Sequence, residues 1–245
     1  MPEPESLAER RPSMFGRIMA GIAERRISTA AGPVEDDPSP DEPGHPEFHR
    51  RQRAEFALSR WSAAVPYRYR NATASHPDVT AWADRTARDL RAGGFLVING
   101  TIGTGKTHTA YGALRRIAEA GPFNFAMVAT TAPDMYGLLR PKGSEKGSEH
   151  ELKQLARIPL LLIDDLGTEK LSEFTEETTY RILNERYNQC LPLIITTNLM
   201  TRANTPGEPD LASHLGDRLT SRLVQTSHIV TLAGVDLRRT HRDAS

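Results

Sequence analysis

The sequence predicts an α/β protein: a doubly wound, parallel five-stranded sheet preceded by a small helical region. Three observations support this. From residue 95 onward, five short apolar runs alternate with stretches of helical spacing. The runs are apolar almost throughout, which is typical of strands covered by helices on both faces. The first run leads into a glycine-rich loop and then a helix, the order that phosphate-binding folds require.

The elements follow from hydrophobic spacing and from chain breakers. The predicted strands are residues 95–99, 123–129, 159–164, 193–197 and 228–232. The predicted helices among them are residues 110–120, 133–140, 151–157, 173–189 and 211–223. Gly121-Pro122 breaks the chain before the second strand, and Pro206, Gly207 and Pro209 mark a loop before the last helix.

The chain ahead of the sheet divides into three segments, and residues 93–240 form the main domain. Residues 1–30 hold one short amphipathic helix, about 14–27, which is either a partner-binding helix or a frayed end. Residues 31–47 contain five prolines and six acidic residues without a base, which predicts a disordered linker. Residues 48–92 form a helical extension with helices at 48–64 and 77–90. Basic residues at the start of the first of these are either a solvated face or a contact for a phosphate backbone: His49, Arg50, Arg51 and Arg53.

Composition excludes several classes of protein. The 245 residues include 31 basic and 31 acidic side chains, so any nucleic-acid site must be a local patch. One cysteine, Cys190, excludes an intrachain disulfide and a cysteine-based zinc site, and it suits a reducing compartment. The apolar runs are far too short to cross a bilayer. We therefore expect a cytoplasmic protein without a membrane partner.

Residues 100–107 carry the central motif. They read Gly-Thr-Ile-Gly-Thr-Gly-Lys-Thr, the P-loop pattern G-x-x-x-x-G-K-T, between a predicted strand and a predicted helix. Glycines let backbone N–H groups approach phosphate oxygens, Lys106 reaches the β- and γ-phosphates, and the Thr107 hydroxyl binds Mg²⁺. The predicted phosphate-binding residues are Gly100, Thr101, Ile102, Gly103, Thr104, Gly105, Lys106 and Thr107.

Two further strands end in polar residues that belong beside the P-loop. The third strand ends in Asp164-Asp165, a Walker B arrangement. Asp164 is placed to hold Mg²⁺ and Asp165 to orient or activate the attacking water. The fourth strand ends at Asn198, which is placed to contact the γ-phosphate or that water.

Arginines near the C-terminal end suggest a shared site. Arg218 and Arg222 are four residues apart and so lie on one face of the predicted helix. An arginine offered to the phosphate of a neighbouring subunit would act as an arginine finger; a solvated helix face is the alternative. Arg238 follows the last strand and would reach the chain's own phosphates, or else belongs to a basic tail.

Together these motifs resemble the AAA+ class of P-loop ATPases, in the branch of DnaC-type replicative helicase loaders and IstB-type transposition helpers. The resemblance covers about residues 67–239. It is carried by Gly-Thr-Gly-Lys-Thr-His at 103–108, Leu-Leu-Ile-Asp-Asp-Leu-Gly at 161–167, Thr197-Asn198, Arg-Leu-Thr-Ser-Arg-Leu at 218–223 and Val-Asp-Leu-Arg at 235–238. It implies a sheet order of 5-1-4-3-2 and ATP hydrolysis with Mg²⁺. It also implies that His108 belongs to the nucleotide loop, Arg222 is the finger and Arg238 is the sensor 2 arginine.

The resemblance also implies partners. It implies self-assembly through the ATP sites, binding of single-stranded DNA, and residues 1–64 as the module for a hexameric replicative helicase. The DNA candidates within 133–150 are Tyr136, Arg140, Lys142 and Lys146. A helicase loader in DNA replication is the leading interpretation. A transposition helper with a transposase client and a nucleotide-gated module with little turnover are the alternatives. Asn198 and the helix that carries Arg218 and Arg222 fit an AAA+ protein better than a P-loop kinase.

Overall fold

The computed structural model describes residues 14–25, 38–200 and 210–234 of a chain that divides into two compact units, residues 1–45 and 46–245. Helix α1 (Met14–Glu24) belongs to the first unit. The predicted end of this helix at residue 27 lies outside the described residues, as does much of the acidic linker. Residues 40–45 of that linker form turns, in which the Glu42 N–H donates to the Ser39 carbonyl at 2.9 Å, and its last two residues are helical.

The second unit contains the predicted sheet. Its strands are β1 (Phe95–Gly100), β2 (Met127–Thr131), β3 (Leu160–Leu166), β4 (Leu193–Thr197) and β5 (Ser227–Leu232). Every pairing is parallel, in the order β2-β3-β4-β1-β5. This is 5-1-4-3-2 seen from the other edge, so the predicted order is confirmed.

Helices cover both faces of the sheet. They are α2 (Pro46–Ala64), α3 (Pro77–Arg88), α4 (Lys106–Glu119), α5 (Ala132–Leu139), α6 (Ser148–Arg157), α7 (Glu173–Asn188), α8 (Leu211–Leu215) and α9 (Asp217–Thr226). Short 3₁₀ helices occupy Tyr67–Tyr69 and Leu90–Ala92. Across the described ranges, no helix combines the length and apolar character needed to cross a membrane.

Several predicted boundaries are wrong, including the start of α4, which lies at Lys106 rather than at residue 110. The second strand begins at Met127 rather than at Phe123, because Phe123 stays in the turn after Gly121-Pro122 and is 84% exposed. The third strand continues through both aspartates to Leu166. Helix α6 begins at Ser148, three residues earlier than predicted. The predicted helix 211–223 is two helices, because Gly216 between α8 and α9 adopts a φ of 76°.

Alternate strand residues supply two separate hydrophobic layers. Leu96 and Ile98 of β1 join α2, α3 and α4 on one face, whereas Phe95 and Val97 join α5 to α9 on the other. The first layer includes Trp61 of the extension, so the extension and the main domain share one core.

Glycine is required where the extension meets α4. A Cβ on Gly112 of α4 would lie 2.2 Å from the carbonyl carbon of Thr73 and 2.4 Å from the backbone nitrogen of Ala74. Nearby, Trp61 Nε1 donates to the Tyr111 carbonyl at 3.2 Å. This close packing places the segment that follows α2 beside the P-loop.

Candidate functional site

The P-loop bends around an open centre at the carboxyl ends of the strands. Gly103 and Gly105 have φ values of 87° and 85°, which side chains disfavour, and Gly105 is the N-cap of α4. The first N–H groups of a helix have no partner within it, so those at the start of α4 can donate to a ligand. This backbone can bind an anion.

Lys106 joins the P-loop to the end of β4. Its side chain is buried, and Nζ donates to the carbonyls of Gly100 and Thr101, each at 2.9 Å, and to Asn198 Oδ1 at 2.7 Å. Thr104 closes the same loop by donating from its hydroxyl to the Thr101 carbonyl at 2.8 Å. The folded chain therefore brings together the predicted phosphate-binding lysine and the predicted polar residue of β4.

A buried carboxylate lies beneath the start of α4. Asp164 Oδ1 accepts hydrogen bonds from the Thr107 hydroxyl at 3.0 Å and from the Thr196 hydroxyl at 2.5 Å. Burial raises the pKa of Asp164, and the charge of Asp165 adds to this, while the two hydroxyl donors oppose it. Mg²⁺ prefers oxygen ligands and uses one or two carboxylates together with substrate phosphates. The adjacent oxygens of Thr107 and Asp164 fit that preference.

The second aspartate, Asp165, lies at the edge of the open centre. Asp165 has a φ of 56°, unusual for a residue in a strand, and its N–H donates to Thr196 Oγ1 at 2.9 Å. Its carbonyl accepts from the Thr168 hydroxyl at 2.9 Å. Thr196 thus fixes both aspartates, a role that the sequence analysis missed because the residue lies inside an ordinary apolar strand.

A cavity of about 680 Å³ lies between these groups. Its lining comprises Arg68, Tyr69, Ile102, Gly103, Gly105, Lys106, Thr107, His108, Asp165, Thr168 and Asn198. The sequence analysis missed Arg68 and Tyr69, which the extension contributes. The alternating aromatic and basic residues at 67–70 were the available signal. Tyr69 stacks on Tyr111 of α4 with ring centroids 5.1 Å apart.

Arg222 lies away from this cavity, on the other helical layer. Its guanidinium donates to Asn184 Oδ1 and lies over the rings of Tyr187 and Tyr180, at 5.3 and 5.9 Å from their centroids. It is not among the described residues that line the cavity. Arg238 and the side chain of Arg218 lie outside what the structure describes.

The candidate DNA-binding residues differ in their exposure to solvent. Tyr136 is 4% exposed, and its hydroxyl lies 2.5 Å from Thr179 Oγ1, so its prediction as a DNA contact is wrong. Arg140, Lys142 and Lys146 are exposed on the loop after α5.

Sequence comparison places the chain among ATP-binding proteins. The sequence model described as IstB-like ATP binding protein matches residues 80–245, well over half of the chain. An ATP-binding protein in an insertion sequence of Mycobacterium tuberculosis is 26% identical over 214 residues, covering 80% of this chain and 82% of that protein. An insertion sequence ATP-binding protein of Sinorhizobium fredii is 35% identical over 95 residues, covering 38% of this chain and 37% of the relative.

Solved structures share the fold. The crystal structure of the DnaC helicase loader is similar with a TM-score of 0.57 and 27% identity, covering 69% of this chain and 100% of that one. The structure of DnaI gives a TM-score of 0.52 at 18% identity, covering 75% of this chain and 93% of that one. At that identity DnaI supports the fold alone.

Proposed function

The chain belongs to the family of IstB-like ATP-binding proteins, and on that premise we propose that it hydrolyses ATP between copies of itself to hold and release a protein client on DNA. One observation carries the proposal. Lys106, Asp165 and Asn198 line one cavity, and Asp164 accepts a hydrogen bond from Thr107, which lines it too. Arg222 is not among the described residues of that lining. The site therefore has the groups to bind and position a triphosphate, and its arginine would come from a neighbour.

The residues divide the chemistry among them. The P-loop backbone and the start of α4 bind phosphate oxygens, and Lys106 exchanges its carbonyl partners for them. Asp165 holds a water in line with the terminal phosphate and accepts its proton. Asn198 orients that water or the transferred phosphoryl group. Thr196 keeps both aspartates in place.

Magnesium belongs to this site by the chemistry of its donors. Thr107 and Asp164 would hold the ion, which neutralises charge on the phosphate oxygens. Arg68 and Tyr69 close the side of the cavity formed by the extension, where they would contact the remainder of the nucleotide.

A mixing experiment tests the shared site. Asp165→Asn and Arg222→Ala should each reduce phosphate release, by about 10²-fold or more for the aspartate and about 10³-fold for the arginine. Mixing the two inactive variants should restore part of the activity, because some interfaces then pair an intact Asp165 with an intact Arg222. Lys106→Ala mixed with Asp165→Asn should restore none, because neither chain then has an intact nucleotide pocket. Equal activity of unmixed and mixed samples would contradict a shared site.

Two clients are candidates, and each has an observation in its favour. Both curated relatives belong to insertion sequences, which favours a transposase and a role as a transposition helper. The similarity to the DnaC helicase loader, over the whole of that chain, favours a hexameric replicative helicase and a role in DNA replication. We propose the transposase first, because the relative from Mycobacterium tuberculosis covers 80% of this chain, against 69% for the helicase loader. DNA contact through Arg140, Lys142 and Lys146 is part of either proposal.

Affinity capture distinguishes the clients. Asp165→Asn loaded with ATP should hold its client, since release requires hydrolysis. A purified transposase from the same host should bind the loaded variant, whereas a replicative helicase should not. Binding of the helicase alone would overturn the first choice.

The rate of ATP hydrolysis tests a further alternative. If the wild-type chain binds ATP but releases no phosphate, with or without single-stranded DNA, it acts as a nucleotide-gated module instead.

A further inference from the structure

A buried carboxylate lies just beyond the Walker B strand and is used by no step above. The side chain of Glu169 is only 6% exposed. Its Oε2 accepts from the Gly167 N–H at 3.0 Å, and its Oε1 accepts from His214 Nε2 at 2.7 Å. The His214 side chain is 10% exposed, so the pair is sheltered from water on both sides.

The pair joins elements that are distant in sequence. Gly167 begins the loop that follows Asp165 and Leu166 at the end of β3 (the Asp165 loop), and His214 belongs to α8. The Tyr136 hydroxyl of α5 lies 3.3 Å from Glu169 Oε1 and 2.5 Å from Thr179 Oγ1 of α7. Glu169 therefore connects the Asp165 loop to α8 and α5 directly, and to α7 through the Tyr136 hydroxyl.

The connection continues to Arg222 through a short, packed path. Gly216 alone separates α8 from α9, and the N–H of Gly216 donates to the Ala212 carbonyl at 2.9 Å. Leu211 of α8 and Leu219 and Leu223 of α9 are buried in the same hydrophobic layer. A shift of His214 would therefore move the helix that holds Arg222.

We propose that Glu169 and His214 are positioning residues that join the Asp165 loop to the Arg222 helix. The proposal rests on the proposed function. In an assembly, Asp165 and Arg222 of one chain serve different ATP sites, so this pair would make the geometry of one site depend on its neighbour. Neither residue lines the nucleotide cavity, so both act through the groups that they hold.

Paired substitutions test this role. Glu169→Gln keeps the shape but places an amide where the carboxylate accepts from three donors. His214→Leu removes the donor, whereas His214→Gln can place an amide N–H near Nε2. We expect Glu169→Gln and His214→Leu to lower kcat about tenfold with ATP affinity changed less than twofold, and His214→Gln to recover most of the activity. The double variant should lose no more than either single one.

Matched controls and a second readout separate the outcomes. His76→Gln and Glu149→Gln, in exposed pairs elsewhere, should leave kcat unchanged. Hydrogen exchange of Glu169→Gln should increase in residues 164–169 and 211–226 together, whatever the rate of hydrolysis. Absence of phosphate release by the wild-type chain would overturn the proposed function. The exchange measurement would still show whether Glu169 and His214 connect the two segments. Unchanged exchange of α9, or full kcat in both folded variants, would overturn the inference.

Discussion

Lys106 Nζ donates a hydrogen bond to Asn198 Oδ1 at 2.7 Å, which joins the P-loop to the carboxyl end of β4. The same ammonium also donates to the carbonyls of Gly100 and Thr101. An ammonium has three N–H donors, so phosphate oxygens must compete with these acceptors. We therefore expect the strength of the Lys106–Asn198 hydrogen bond to affect nucleotide affinity.

Replacing Asn198 with Asp should weaken ATP binding about tenfold. The carboxylate would form an ion pair with Lys106 that the phosphates must displace, and it adds negative charge beside them. Titration with a fluorescent ATP analogue measures the change. Asn124→Asp, in the exposed turn before β2, is the control for added charge. Affinity equal to that of the control would contradict the prediction.

Replacing Thr196 with Val should destabilise the fold by about 1–3 kcal/mol, because the shape is kept but two buried hydrogen bonds are lost. Phosphate release should fall further than stability alone explains, because both aspartates lose their common anchor. Urea unfolding and phosphate release measure the two effects. Thr231→Val, exposed on β5, should stay within about 0.5 kcal/mol of the wild-type stability.

Two Gly→Ala substitutions should change the stability of the fold in opposite directions. Gly112→Ala forces a Cβ against the backbone at Thr73 and should cost about 1–3 kcal/mol. It should also weaken ATP binding, because the displaced segment carries Arg68 and Tyr69. Gly137→Ala, in α5 with no atom within 4 Å of the new Cβ, should stabilise by about 0.5–1 kcal/mol. Thermal unfolding of both variants checks the signs, and a stabilised Gly112→Ala would refute the close approach.

The Glu169 carboxylate should make stability depend on pH in the acid range. Burial alone would raise the pKa of Glu169, but His214 and the Gly167 N–H together lower it below its ordinary 4.5. The ionised group therefore contributes stability above about pH 4.5, and this contribution disappears as pH falls through the lower folded-state value. The difference in Tm between wild type and Glu169→Gln should shrink over that fall. Glu177→Gln, exposed on α7, reports the effect of removing a surface carboxylate, and parallel wild-type and Glu169→Gln curves would refute the prediction.

The parts of the fold that follow from local pattern were predictable. Apolar runs marked β1, β3, β4 and β5, and the resemblance supplied the strand order, because a family preserves topology. The start of β2 was not predictable from apolar character alone, since Phe123 is as apolar as a strand residue yet lies exposed in a turn. The break at Gly216 was equally hidden within a helical pattern.

The candidate site likewise contains residues that the sequence could predict and residues that it could not. The proximity of Thr107 and Asp164 could be predicted, because each lies in a motif that follows or ends a strand at the same edge of the sheet. The contacts of Thr196 with Asp164 and of Glu169 with His214 could not be predicted, because they join residues more than 30 positions apart. Contacts of that kind depend on tertiary packing, which a single sequence does not display.

The extension has a practical consequence for anyone preparing the ATP-binding part alone. Sequence similarity to the family starts at residue 80, yet the core on that face already includes Ala57, Trp61 and Val65. A chain cut at residue 80 would expose the apolar side of α4 to water and would be prone to aggregate. Expression should begin at Pro46, where the second compact unit starts.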